Sequence, residues 1–500
     1  MYISTRGGVE PVSASKAIYS GLAPDGGLFV PEAVPAARPE FLAALGELSY
    51  QDMAREIFGY YLDDFSKEEI DDIVQAAYGD NFDVPEIAPL HKLNDDTYIL
   101  ELWHGPTAAF KDMALQALPH LLTAARAKQE PDKEVVILVA TSGDTGKAAL
   151  EGFADVDKTR IIVFYPNGGV SEVQRLQMVT TTGKNTSVVA LDGNFDNCQT
   201  GVKAIFNNAK FNQQMAAHNY RLSSANSINW GRLLPQIVYY FKAYGALVQA
   251  GVVKMGEAVN VVVPTGNFGN ILAGYYSKIM GLPVAKFICA SNKNKVLTDV
   301  LENGEYNKER EFYRTVSPSM DILISSNFER FVFEMNGRDA SEVTKLFGQL
   351  NTQGSYTLSD AALQAMQAEM CGYWTDESET LATIGSVYRD YNYLMDTHTA
   401  VAVHAWEEYK KSQSEVAPAI VDSTAHPYKF NKAVYEAING AGSADSLSEF
   451  AVSEALAQTT GVPIHRGLLE LDKKEVRHNT VIDRGEMLVT VARILGISEA

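Results

Sequence analysis

Five hundred residues exceed one ordinary domain and indicate two or three, and with 46% hydrophobic and 10% aromatic residues the chain can build substantial cores, which excludes a disordered protein. The 42 basic residues stand against 62 acidic ones, a formal net charge of -20, which excludes a general nucleic-acid or anionic-membrane surface but not a small positive pocket for an anionic metabolite. Cys198, Cys289 and Cys371 are scattered, with neither metal-ligand spacing nor a disulfide framework, and no metal site is expected. The opening "MYISTRGGVEPVSASK" lacks the apolar core of a signal peptide, and no apolar run approaches the ~20 residues of a membrane span. The expected location is therefore the reducing cytoplasm.

The first ninety residues read as mostly helical. After turn chemistry in "GLAPDGGLFVP" (residues 21–31) comes a short extended piece. In "SKEEIDDIVQAAYG", Ser66 and Glu69 form a capping-box pattern, Ile70, Ile73, Val74 and Ala77 share one face, and Gly79 is placed to end the helix. From about Tyr98 the pattern changes to short β-branched runs: "TYILEL", "VVILVA", "IIVFY", "TSVVAL", "VNVVV", "AKFICA" and "AIVDS" read as strands. Helical stretches such as "SEVQRLQMVTT", with a second capping box at Ser171 and Gln174, and "FGNILAGYYSKIMG" lie between them. Such alternation predicts an α/β fold of two lobes, with mainly parallel sheets flanked by helices, behind the amino-terminal helical domain. The expected division is 1–92, a two-lobed α/β region, 93–435, and a carboxyl-terminal segment, 436–500, packed on that region. Residues 291–359 are charged and irregular, and no element is assigned to them.

Ligands of open α/β sheets bind beyond the carboxyl ends of strands, so the loops there carry the candidate chemistry. "HGPTAAFKDMALQ" (residues 104–116) sets Lys111 among small and apolar neighbours; desolvation lowers such an amine's pKa and suits it to Schiff-base chemistry, whereas a surface lysine merely snorkels to water. After "VVILVA" comes "TSGDTGKAAL", which departs from the nucleotide-triphosphate loop at Thr141 and at Ala148. It remains a hydroxyl-rich turn before a helix, a seat for a carboxylate or phosphate, with Asp144 read as a helix cap. "PTGNFGN" (residues 264–270) pairs Gly266 with Gly269 ahead of a helix and suits a phosphate, though it lacks the dinucleotide spacing. In "VDSTAHPYKF" hydroxyls stand where a heteroaromatic nitrogen can receive a hydrogen bond; His426 reads equally as a structural residue. Arg175, early in its helix, suits an anion or an ion pair with Glu172, and "SSANSINWGR" combines amide and hydroxyl side chains before a long helix.

Taken together, the order and spacing of H-G-P-T-A-A-F-K-D, T-S-G-D-T-G, G-N-F-G-N and S-T-A-H-P-Y-K-F resemble the threonine synthase family. These are pyridoxal-phosphate enzymes of fold type II, alongside tryptophan synthase β and serine dehydratase. The likeness extends to "YISTRG" and "GLAPDGGLFVP", which are similar to that family's own amino-terminal region. It implies that Lys111 is the Schiff-base lysine and later shuttles protons. It implies that Gly266, Asn267, Phe268, Gly269 and Asn270 hold the cofactor phosphate through backbone and side-chain contacts, and that Thr424 meets the pyridine nitrogen. Ser142, Gly143, Asp144 and Thr145 are implied for the substrate carboxylate, and Arg175 and Asn226 for its phosphate. The implied reaction is a lyase step that converts O-phospho-L-homoserine and water to L-threonine and phosphate, by a monomer or homodimer. The role of Lys147 is left open.

Overall fold

The computed structural model describes residues 1–141 and 143–497. All seven apolar runs form strands, and they assemble into two separate sheets. The larger sheet has the order Met370–Trp374, Val284–Ser291, Val259–Pro264, Ala419–Ser423, Thr97–Glu101, Leu90–Lys92, parallel except for its last, antiparallel strand. The smaller has the order Thr480–Ile482, Thr186–Leu191, Thr159–Pro166, Glu134–Ala140, Tyr220–Ser223, all parallel. The two faces of the Glu134–Ala140 strand show why its run is almost wholly apolar. Val135, Ile137 and Val139 enter the main core, while Val136 and Leu138 enter a second core on the opposite face.

The second core is closed by the end of the chain. Ile482, Met487, Val491 and Leu495 pack against Val136 and Phe164, so the carboxyl-terminal segment supplies both a strand and a covering helix to the smaller lobe. At the other end, Tyr2–Ser4 pairs antiparallel with Phe29–Pro31 beside helices Tyr50–Tyr61 and Lys67–Ala77. The Lys67–Ala77 helix carries the expected capping box and buries Ile70, Ile73, Val74 and Ala77; it stops at Ala77 because Tyr78 is already extended, one residue before the glycine expected to end it. The boundary expected after residue 92 falls between two paired strands, Leu90–Lys92 and Thr97–Glu101.

The unassigned stretch is an insertion between two neighbouring strands of the larger sheet. It contains helices Val296–Asn303, Phe328–Met335 and Ala340–Gln353 and a small antiparallel pair, Glu305–Asn307 with Ser355–Thr357. Its importance lies in its loop at 318–327, which packs on the "PTGNFGN" turn. Among the described residues no helix is long and apolar enough to cross a membrane.

Candidate active site

The Lys111 segment is tied to the Thr424 loop by backbone pairing. Phe110 N–H donates to the Thr424 carbonyl (2.9 Å), His426 N–H donates to the Ala108 carbonyl (3.0 Å), and Ala109 and Ala425 form a bridge. Asp112 holds the turn from inside, accepting from Thr107 N–H (2.8 Å) and Thr107 Oγ1 (2.7 Å), while burial pushes its carboxyl up to about 7. A Cβ at Gly105 would lie 2.5 Å from Asp112 Cβ, so no larger residue fits there. His104 anchors the start of the motif between Asp83 (2.6 Å) and Glu101 (2.9 Å); burial opposes its charge, but the two carboxylates raise it to about 9.

Lys111 opens the short helix Lys111–Leu115 and makes no hydrogen bond or ion pair among the described residues. Burial lowers its ammonium to about 8; Arg232 and Lys429 push the same way, and Asp144 and Asp112 oppose them. An unpartnered amine that titrates near neutrality is free to meet a carbonyl. Across the paired loops, Ser423 and Thr424 divide their roles. Ser423 Oγ accepts from Trp103 Nε1 (3.0 Å) and lies 2.9 Å from Thr399 Oγ1, whereas the Thr424 hydroxyl has no side-chain partner among the described residues. His426 is structural: Nδ1 accepts from Tyr428 N–H, the ring packs on Trp103 and Tyr428, and burial holds its pKa well below the usual value.

The "PTGNFGN" turn starts the helix Gly269–Ile279 with no side-chain cap. Phe268 occupies the left-handed region at φ 62°, held there by packing on Phe328 (4.9 Å) and Phe331 (5.3 Å). At Gly266 a Cβ would lie 2.9 Å from the Ser319 carbonyl, and Ser325 Oγ donates to the Gly266 carbonyl (2.6 Å). Asn267 receives Asn327 on its carbonyl (3.1 Å) and Ser326 on its side chain (3.3 Å). An uncapped helix start behind a rigid glycine turn fits a phosphate. The expectation for Asn270 needs correction: its side-chain oxygen is taken up by Tyr239 and Tyr240 in the interior, leaving its backbone N–H for an anion.

The second helix start has no side chain at its N-cap, Gly143, and only part of its first turn is closed. Thr141 Oγ1 accepts from the N–H groups of Gly143 (3.0 Å) and Gly146 (2.9 Å), and Gly143 adopts φ 148°, where a Cβ would meet the Gln174 amide at 2.4 Å. Ser142 lies outside the described residues. Asp144 does not cap the helix Asp144–Phe153 as read from the sequence; it is the first helical residue, paired with Lys429 Nζ (3.0 Å) and Gln174 Nε2 (3.0 Å). Burial works against its charge, but Lys429 and then Lys111 hold the carboxyl well below its usual range. A buried carboxylate so held repels a second anion, so Asp144 can offer a substrate carboxylate only its backbone N–H, as can Thr145, whereas the Gly143 N–H is already given to Thr141 Oγ1. Lys147 pairs with Glu151 (2.5 Å) along its helix.

Arg175 and Asn226 are not placed as expected. Arg175 makes two 2.8 Å bonds to Glu172 at the surface, and the first amides of its helix are taken by the Glu449 carboxylate (3.2 and 3.1 Å) as well as Ser171. Asn226 is exposed and turns back on Ile228 N–H (3.3 Å). The cation that the structure offers instead is Arg232, six residues further on. It is 4% exposed, bonds the Ala225 carbonyl (2.8 Å) and, among the described residues, has no carboxylate partner and leaves Nε unsatisfied. Burial lowers it to about 10. Lys429 was the other omission. Arg232 ends "SSANSINWGR" and Lys429 lies in "VDSTAHPYKF", so both are basic residues beside strand ends, and the desolvation that marks Lys111 acts on them too.

These features fit a phosphorylated aldehyde cofactor: an unpartnered amine, an open hydroxyl and an uncapped helix start on one set of joined loops. Comparison with known proteins gives the same assignment. Residues 1–78 match "Threonine synthase N terminus", 82–346 "Pyridoxal-phosphate dependent enzyme" and 399–481 "Threonine synthase, C-terminal". "Threonine synthase-like 1" of Macaca fascicularis is 40% identical over 96% of this chain, which spans 65% of that relative's length. "Threonine synthase" of Pseudomonas aeruginosa is 40% identical over 89% of this chain and 92% of its own. The crystal structure of PLP-bound threonine synthase from Brucella melitensis superposes with a TM-score of 0.88 at 37% identity, covering 100% of this chain and 99% of that one. The chain belongs to the threonine synthase family of pyridoxal-phosphate-dependent, fold type II enzymes.

Proposed function

We propose that this protein is a threonine synthase, converting O-phospho-L-homoserine and water to L-threonine and phosphate. The observation that carries the reading is Lys111: an amine that, among the described residues, has no partner and titrates near 8, beside Arg232, a buried guanidinium with no carboxylate among them. Pyridoxal phosphate, when bound, supplies an electron sink for the pair left at the substrate Cα when its proton is removed. Lys111 Nζ would hold the cofactor's aldehyde carbon and, once displaced by the substrate amine, accept the Cα proton. The N–H groups of the turn from Gly266 through Asn267, Phe268 and Gly269 to Asn270 would bind the cofactor phosphate, and the Thr424 hydroxyl would face the ring nitrogen.

A phosphorylated amino acid brings two anionic groups of its own. The helix start after Gly143 suits the carboxylate, since the backbone N–H groups of Asp144 and Thr145 can bind it without a further charge. Arg232 suits the phosphate, because a planar guanidinium left unpaired inside the protein gains most from an anion. Charge count supports this division: Lys429 is neutralised by Asp144, so among the described residues beside Lys111 Arg232 is the cation left over. The three cysteines are unpaired and two are buried, which suits the proposed cytoplasmic location.

Borohydride reduction of the yellow protein followed by peptide mapping tests this reading. The adduct is expected on Lys111, and Lys111→Ala should bind cofactor without turnover. A colourless protein that takes up no pyridoxal phosphate, or an adduct on another lysine, overturns it.

A further inference from the structure

Between the two cofactor loops lies a buried polar network that is short of protons. Tyr240 Oη is 2.6 Å from Asn270 Oδ1, 3.1 Å from the Asn270 carbonyl and 2.9 Å from Asp422 Oδ2. Tyr239 Oη contacts the same Asn270 Oδ1 and lies 3.2 Å from Gln236 Oε1, whose amide is oriented by Nε2 donating to the Arg232 carbonyl (2.8 Å). Each phenol brings one proton. With Asp422 ionised, Tyr240 must donate to it, and two acceptors then face each other at 2.6 Å across Asn270. Turning the Asn270 amide over gives the phenols a donor but aims its oxygen at Asp422. Either arrangement is satisfied by one more proton, on Asp422.

The surroundings agree. Asp422 is fully buried, the Asn270 amide faces it without a well-formed hydrogen bond between Nδ2 and Oδ1, and no lysine, arginine or histidine pairs with Asp422 among the described residues. The groups that face it are Tyr240 and Asn270, with Tyr239 behind them. Its place in the chain gives the proton a consequence, because Asp422 stands two residues before Thr424 and, through Tyr240, touches the second residue of the uncapped helix.

We propose that Asp422 is held as a neutral carboxylic acid that positions the start of the Gly269–Ile279 helix, and that its ionisation weakens phosphate binding there. This rests on the reading of residues 266–270 as the cofactor's phosphate cradle. Burial pushes the carboxyl up to about 7, so ionisation falls within the working range. The charge it creates lies beneath the helix amides and competes with the bound phosphate.

The test uses the apo form of the full chain, its infrared spectrum, and its affinities for pyridoxal phosphate and for pyridoxal, which lacks the phosphate. Taking their ratio cancels the titration of Lys111, which both ligands share. The wild type should show a protonated-carboxyl band that Asp422→Asn lacks, and its affinity ratio should fall severalfold between about pH 6 and about pH 8.5 while that of Asp422→Asn falls much less. Asparagine mimics the protonated acid in shape. Should that variant misfold by circular dichroism, Tyr240→Phe, which removes the proton's acceptor, should shift the band instead. Absence of the band overturns the protonation. A band present with equal pH dependence in both proteins overturns the positioning role. A ratio near unity at every pH, with the band present, removes the phosphate cradle and the positioning role with it, but leaves the proton on Asp422 established.

Discussion

Replacing Lys429 with methionine breaks the buried pair beside Lys111 while retaining most of the side chain's volume. The Lys429 side chain is 0% exposed and Asp144 4%, and the ammonium's three donors go to Asp144 (3.0 Å), the Thr107 carbonyl (2.9 Å) and Gln177 Oε1 (3.3 Å). Without it Asp144 keeps one side-chain donor, Gln174. Leaving a desolvated carboxylate unpaired costs about 3–5 kcal/mol, roughly two to four powers of ten in the unfolding equilibrium. Urea unfolding of the cofactor-free protein measures this without ligand linkage. In Asp144→Asn/Lys429→Met part of the loss should return, since no lone charge remains. The variants also act on Lys111 with opposite signs: losing Lys429 raises its titration above 8, and Asp144→Asn lowers it, as read from cofactor absorbance against pH. A cost for Lys429→Met below about 1 kcal/mol, the range of solvated pairs, together with an unmoved Lys111 titration, would refute the reasoning.

Three further outcomes are expected. Thr424→Val removes the hydroxyl proposed to face the cofactor ring and should weaken cofactor binding by about 0.5–1.5 kcal/mol, checked by equilibrium dialysis; unchanged affinity and spectrum would count against that contact. Arg175→Gln should change little, because its partner is a surface glutamate, whereas Arg232→Gln should raise KM for the phosphorylated substrate far more than it disturbs cofactor binding; steady-state kinetics on both variants would expose the reverse ranking. Because Lys111 titrates near 8, below the ~10.4 of an unfolded lysine, its neutral fraction falls about tenfold per unit below pH 8. Attachment of the aldehyde should therefore rise with pH to about 8 and level off, and folding stability should increase between about pH 8 and about pH 10.4, where the unfolded chain binds the extra proton. An attachment profile that keeps rising about tenfold per unit through about pH 9, with no levelling near 8, would show that the amine is not desolvated.

The sequence discloses the parts of this molecule that depend on neighbours along the chain. The strands came from β-branched runs, and Ser66 with Glu69 and Ser171 with Gln174 form the capping boxes those spacings require. Short edge strands were hidden because they carry little pattern: Thr480–Ile482 pairs on one side only, and "MCGYW" holds no β-branched residue. Pairings across hundreds of residues were hidden for another reason. Glu449 capping the helix of Arg175, and Lys429 neutralising Asp144, depend on which loops meet in space, and no local spacing encodes that. Hence the anion-binding residue types were legible, while the question of which cation stays unpaired required the fold.

The central claim is tested most directly by incubating the holoenzyme with O-phospho-L-homoserine and measuring phosphate and L-threonine together. The account predicts that the two appear in equal amounts, with neither ammonia nor keto acid, and that Lys111→Ala forms neither. Phosphate released with a keto acid and ammonia, or no phosphate release from a protein carrying its cofactor on Lys111, would contradict it.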